Sequence, residues 1–133
     1  MLKYLAVYVV VAVTMLVIDM VWLRGIAAPW YEEGLGHLMA PNPDLLAAGI
    51  FYLLYPLGLL IFAVLPNEDS TLLRAAGMGA LFGFFAYATY DLTNLATLRD
   101  WPRYVSLMDM AWGTLASGLS TGAGKLCLDA LRR

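Results

Sequence analysis

Four long apolar stretches divide the chain, each bounded by charged residues, proline or both. The first runs from about residue 2 to 23 and ends at Arg24. The second covers about 45–65, between Pro43-Asp44 and Pro66-Asn67-Glu68-Asp69. The third covers about 72–98 and ends at Arg99-Asp100. The fourth covers about 104–128, after Trp101-Pro102-Arg103 and before Asp129 and Arg132-Arg133. A helix of roughly 20 apolar residues crosses the hydrocarbon core of a bilayer. Continuous apolar runs without period-2 alternation read as helices and not as barrel strands. The short connections 66–71 and 99–103 force antiparallel neighbours. The pattern therefore predicts one all-α domain, an integral membrane four-helix bundle. Its helices run up-down-up-down, and both termini lie on the same side.

Lys3 and the small residues around Gly25-Ile26-Ala27 give the first stretch some likeness to a signal peptide. Its apolar length exceeds the usual core of about 7–15 residues. It also contains Asp19 and Trp22, so it reads as a retained span. The connection 24–44 is long for so small a chain, and long loops in compact proteins often serve as lids. Pro56 removes one backbone donor within the second span and is expected to kink it. Ala75, Gly79 and Gly83 recur every fourth residue in the third span, and Gly118 and Gly122 do so in the fourth. Such small-residue faces bring helices close in lipid. They suit packing within the chain, or a homodimer seam.

Composition narrows the picture. Apolar residues make up 62% and charged residues 14%, against about 45–50% and about 25% in soluble domains. A soluble chain of this size cannot hide so much apolar surface, and the same excess excludes disorder. A formal charge of −2 with no basic cluster excludes a nucleic-acid partner. The single cysteine, Cys127, excludes an internal disulfide and a cysteine zinc site. The single histidine, His37, excludes multi-histidine iron and bis-histidine haem sites within one chain. There is no phosphate-binding glycine loop, His-Glu-x-x-His or Gly-x-Ser-x-Gly, and nothing names a cofactor. Lys3, Arg74, Lys125, Arg132 and Arg133 lie toward one side and Arg24, Arg99 and Arg103 toward the other. That bias points to cytoplasmic termini. All four tryptophans fall toward the opposite side.

Three aspartates interrupt the spans: Asp19, Asp91 and Asp109. Measured from Arg24, Arg99 and Arg103 at about 1.5 Å per residue, they lie about 7, 12 and 9 Å inside the outer helix ends. Successive spans run in opposite directions, so all three acids fall in the same outer third of the bilayer. Charge in that position is costly and should face inward. Asp19-Met20-Val21-Trp22 is matched by Asp109-Met110-Ala111-Trp112, with acid and indole three apart on one face in each. Tyr87, Asp91 and Asn94 share a face of the third span, and Tyr52 and Tyr55 reach a comparable depth in the second.

Close carboxylates cannot all carry charge, so at least one should hold a proton at neutral pH. That suits a proton relay, or exchange of a proton for a cation. Oxygen ligands from Asp19, Asp91 and Asp109, with Asn94 and His37, would also suit a hard or borderline metal ion. Tyrosine and tryptophan walls with acidic acceptors suit a polar head group. Acid–base catalysis on a lipid would use the same carboxyls. Plainer readings stand beside these. Asp19 and Asp109 can be near-interface acids, Trp22 and Trp112 belt residues, and His37 a solvated loop residue. Glu32-Glu33 and Glu68-Asp69 read as solvated loop charges.

The run Tyr90-Asp91-Leu92-Thr93-Asn94-Leu95-Ala96-Thr97-Leu98 is distinctive. Together with Asp19-Met20-Val21-Trp22-Leu23, Leu35-Gly36-His37-Leu38, Phe51-Tyr52-Leu53-Leu54-Tyr55, Ala63-Val64-Leu65-Pro66, Trp101-Pro102 and Asp109-Met110-Ala111-Trp112-Gly113, it resembles the bacterial predicted membrane proteins grouped as domain of unknown function 2177. The likeness covers nearly the whole chain. It implies a four-helix protein of the bacterial inner membrane and no particular activity.

The reading that gathers most of these residues is a pocket near the outer face, between the first, third and fourth spans. Asp19, Trp22, Tyr52, Tyr87, Asp91, Asn94, Asp109 and Trp112 would form it, with His37 as a possible lid. Asp91 would be the central group, Asp19 and Asp109 its partners, and Asn94 and Tyr87 the orienting groups. Such a pocket would bind or translocate a proton, a cation or a small polar solute. The alternatives are a membrane-embedded lipid-modifying enzyme, and a structural or accessory subunit in which the acids only fix helix register.

Overall fold

Two of the apolar runs begin as helices at a polar cap. The Asp44 carboxylate accepts from the N–H groups of Leu46 and Ala47, each at 3.1 Å, and the Thr71 hydroxyl accepts from Arg74 N–H at 3.1 Å. Both are side-chain caps for donors that a helix start leaves unpaired. The computed structural model describes all 133 residues, and every regular element is helical. Helix α1 is Leu2–Met20 and continues in π winding over Val21–Ile26. Helix α2 is Ala28–Leu35, followed by a 3₁₀ turn, Gly36–Leu38. Helix α3 is Leu45–Leu59, running on as a π segment, Leu60–Val64, and a 3₁₀ turn, Leu65–Asn67. Helices α4 and α5 are Leu72–Thr97 and Arg103–Leu131.

The first helix thus outlasts its expected end at residue 23. The residues expected to form a long outer loop are largely helical. Pro56 sits inside α3 without ending it, and the winding loosens four residues later.

Three helices are long and apolar enough to cross a membrane: Leu2–Ile26, Leu45–Asn67 and Leu72–Thr97. The fourth expected span, 104–128, is not among them. Helix α5 has the length, but small and polar residues dilute its apolar content. Its polar and small residues are the buried ones. Ser106, Gly113, Ser117, Ser120, Thr121, Gly122, Gly124 and Lys125 are all covered. They are covered because α5 packs against α1, α4 and the Leu60–Val64 segment.

These contacts pair the helices in opposite directions. Gly79 of α4 abuts Thr121 of α5, Gly83 abuts Ser117, and Tyr87 abuts Gly113. Gly124 abuts Val11 of α1, and the Ser120 hydroxyl reaches Met15 Sδ. Tyr4 donates to Glu68 at one end of α1, while Tyr52 donates to Asp19 near the other. Gly118 and Gly122 approach Ala76, Ala80 and Leu72 of the same chain. The small-residue faces thus serve packing within the chain. A Cβ at Gly83 would stand 2.5 Å from the Gly113 carbonyl oxygen, and backbone cannot rotate away. Gly83→Ala is expected to cost about 1–3 kcal/mol by overpacking. An unfolding titration in detergent would read this, and an unchanged midpoint would contradict so close an approach.

At the end where Tyr4 and Arg132 lie, Glu68 is a hub of hydrogen bonds, its side chain half-buried. Its carbonyl accepts from Lys125 Nζ at 2.9 Å and Arg132 Nη1 at 2.6 Å, and its carboxylate accepts from Tyr4 at 3.0 Å. Arg132 also bridges to Asp69 at 2.6 Å. Lys125, 2% exposed, pairs with Asp129 one turn on at 2.7 Å.

Candidate functional site

The end away from the termini is built around the two Asp-Met-x-Trp repeats. Each places acid and indole one turn apart, on α1 and on α5. Because these helices run in opposite directions, the indole of each lies level with the acid of the other. Trp112 Nε1 donates to Asp19 Oδ1 at 2.7 Å. Trp22 Nε1 donates to the Tyr31 hydroxyl at 3.2 Å, which in turn donates to Asp109 Oδ1 at 2.9 Å. The two indoles stack between the acids, with centroids 4.8 Å apart and planes 7° from parallel. The repeats are thus crossed: one link is direct, and the other passes through Tyr31.

Tyr31 is the residue that sequence reasoning left out of the site. It projects from α2, which folds back over the helix ends. Ala27, Tyr31, Trp101 and Val105 form a small buried cluster there, with Trp22, Leu23, Leu35, Leu95 and Met108 against it. Gly34 lets α2 sit directly on Val105 and Pro102, and Tyr104 donates to the Trp30 carbonyl at 3.2 Å. Burial lifts the Tyr31 phenol well above its ordinary range; the Trp22 N–H opposes that shift and the Asp109 charge adds to it. Tyr31 therefore stays a proton donor at any physiological pH. His37, proposed as a lid, is exposed on the turn after α2 and does not line the cavity below. Helix α2 covers the site through Tyr31.

Asp19 is 4% exposed and accepts a second bond, from the Tyr52 hydroxyl to Oδ2 at 2.7 Å. Asp91 is fully buried, yet no N–H or O–H reaches either of its carboxyl oxygens. Its charged neighbour is the Asp109 carboxyl. The backbone there is fixed: Ser106 Oγ donates to the Asp91 carbonyl at 2.9 Å and accepts from Trp101 Nε1 at 2.9 Å.

Between these groups lies a cavity of about 390 Å³. Asp19, Tyr52, Tyr87, Asp109 and Trp112 line it, with Leu23, Phe51, Tyr55, Ala86 and Tyr90. Five of the eight expected site residues therefore meet around one space. Asp91 stands behind Asp109, and Trp22 stands behind Trp112. Asn94 is half-buried one turn further out on α4, with its side chain bonded to neither acid. The three aspartates share one end of the molecule without forming a cluster that would hold a metal ion. The reason is local: both Asp19 oxygens are taken by Tyr52 and Trp112, and Asp109 turns one oxygen to Tyr31.

Removing the Tyr31 hydroxyl leaves Trp22 Nε1 and Asp109 short of one partner each. Tyr31→Phe is expected to cost about 1–3 kcal/mol. The near-ultraviolet signal of the indole pair would report it, and an unchanged signal with unchanged stability would show that the bridge is idle.

The chain belongs to the family described as Predicted membrane protein (DUF2177), whose model matches residues 4–126. No curated protein and no solved structure matches it.

Proposed function

We propose that this member of the Predicted membrane protein (DUF2177) family is a four-span bundle that holds a proton between Asp91 and Asp109. From there it exchanges the proton with a cation or small polar solute in the adjoining cavity. In this reading α5 is the fourth crossing, its polar residues shielded by α1, α3 and α4. The helices alternate in direction, and the termini face the cytoplasm of a bacterial cell, as the basic residues favour.

One observation carries the reading: Asp91 is buried, unpaired and set against another carboxyl. An acid kept only to fix helix register is expected to be bonded, as Asp19 is. Two bare carboxylates at this depth repel and lack solvation. One proton between them turns the repulsion into a hydrogen bond and supplies the donor that Asp91 lacks. A polar trail supports movement toward the inner side. Below the cavity, α5 buries Ser117, bonded to Tyr55 at 2.6 Å, then Ser120, an unpaired Thr121 hydroxyl, and Lys125.

The test is vibrational. The purified protein in lipid should show the carbonyl stretch of a protonated carboxyl at neutral pH, and Asp91→Asn should remove it. Absence of that band from the unmodified protein would overturn the reading.

A further inference from the structure

The cavity has a side entrance. Helix α3 packs along α1, but it meets α4 only toward its inner end. There Gly58 lies against Phe82, Tyr55 rests on Phe82 and Tyr87, and the Leu60–Val64 segment completes the contact. Outward of Tyr55 the two helices separate, and the cavity fills the gap. Phe51 of α3 and Tyr90 of α4 line it and are 39% and 56% exposed.

The lining selects what can enter. Eight of the ten lining residues are apolar or aromatic, so a hydrated ion would gain little there. The two charged groups are both acids. No Lys, Arg or His lines the cavity, and both ion pairs of the chain lie at the inner end, between Lys125 and Asp129 and between Arg132 and Asp69. Asp19, with two donors on its oxygens, is served as a carboxylate. The Asp91–Asp109 pair, sharing one proton, keeps a second negative charge. An anion is excluded by both. A neutral hydroxyl would find acceptors but leave the charge uncompensated. A cation on an apolar body meets every feature at once: carboxylates for its charge, and the faces of Tyr52, Tyr55, Tyr87 and Trp112 for cation–π contact. The cavity is also within the common size range of small-molecule sites, about 300–1,000 Å³.

We propose that the cavity is a binding site for a lipophilic amine, an ammonium head on an apolar body, which enters from the bilayer between α3 and α4. This deepens the proton-site reading and rests on it for the second charge.

Protein in zwitterionic lipid nanodiscs would be titrated with dodecylamine, dodecanol and ethylamine while tryptophan emission is followed. Dodecylamine should give a saturable change, and the other two should bind at least roughly tenfold more weakly. Ala86→Phe, which fills the cavity, and Asp19→Asn, which removes charge without changing shape, should each weaken dodecylamine by roughly tenfold or more. A non-saturable response to dodecylamine overturns the proposal. So does ethylamine binding as tightly, which would mean access from water. Equal binding of dodecanol overturns it too, since the acids would then not be reading charge. Should Ala86→Phe fail to fold, Asp19→Asn carries the test alone. The protonated-carboxyl band of the unmodified protein separates the two readings: its presence with no amine binding rejects only the ligand, and its absence rejects the proton site.

Discussion

Asparagine at position 91 should abolish proton entry into pyranine-loaded proteoliposomes under a potassium diffusion potential, while the melting temperature stays the same or rises. The unmodified protein should admit protons at a rate at least roughly tenfold above that of the variant, a difference equivalent to about 1.4 kcal/mol. The reasoning is one of matched shape. Asparagine fills the volume of aspartate and brings an N–H₂ group that can donate to Asp109. That amide takes over from the shared proton as the donor between the two side chains, so the variant adds no unpaired buried group, which would cost about 1–3 kcal/mol. The variant does lose the titratable proton. Function and stability should therefore part company at this one residue. A structural role predicts the reverse, with lower stability and unaltered proton entry, and that outcome would sink the proposed function. The same substitution at Asp19 differs, because Asp19 is already bonded by Tyr52 and Trp112. An amide there turns two N–H donors toward at least one of those partners and should lower the melting temperature.

What the chain discloses by itself follows from what one helix can encode. Spacing along a helix fixes which residues share a face, so acid and indole three apart were legible as two matched faces on α1 and α5. Opposite directions then brought Asp19 level with Trp112. That Asp19 and Asp109 would meet at one end of the molecule was legible for the same reason. The end of α1 was not, because π winding carries it three residues past Leu23 with no proline or glycine to mark the change before Gly25. The role of α5 was legible only in part. Its glycines and hydroxyls announced close packing, but the same residues take it below the apolar content of the other three helices.

Tyr31 was hidden because a residue on a connecting segment acquires its position from the fold-back of α2, and that depends on the distant contacts of Gly34 and Tyr104. One signal was available. Trp22 needs an acceptor and Asp109 a donor, and a phenol on the intervening loop supplies both. Asn94 misled for the converse reason. Helical spacing places it beside Asp91, but at its level the space within the bundle is filled by the cluster around Tyr31, Trp101 and Val105.

Truncating Trp112 to alanine should be the most destabilising single change around the cavity. The indole stacks on Trp22 at 4.8 Å, donates to Asp19 at 2.7 Å and walls the cavity. Large aromatic truncations in packed cores cost about 3–5 kcal/mol. Lipid removes part of the hydrophobic share of that cost but leaves the packing share. Loss of the N–H adds the penalty of one unpaired buried carboxylate oxygen. Trp112→Phe separates the two contributions, since phenylalanine keeps a ring against Trp22 and loses only the donor. It should recover about half of the loss. A double-mutant cycle with Trp22→Ala should then return a coupling of about 0.5–1.5 kcal/mol, the increment expected of an aromatic pair. The crossed arrangement gives this cycle a second readout. Trp22→Ala should disturb Asp109 through Tyr31, Trp112→Ala should disturb Asp19 directly, and Tyr31→Phe should erase only the first effect. Additive losses, with Tyr31→Phe indifferent to Trp22, would mean that the two repeats pack side by side without exchanging partners.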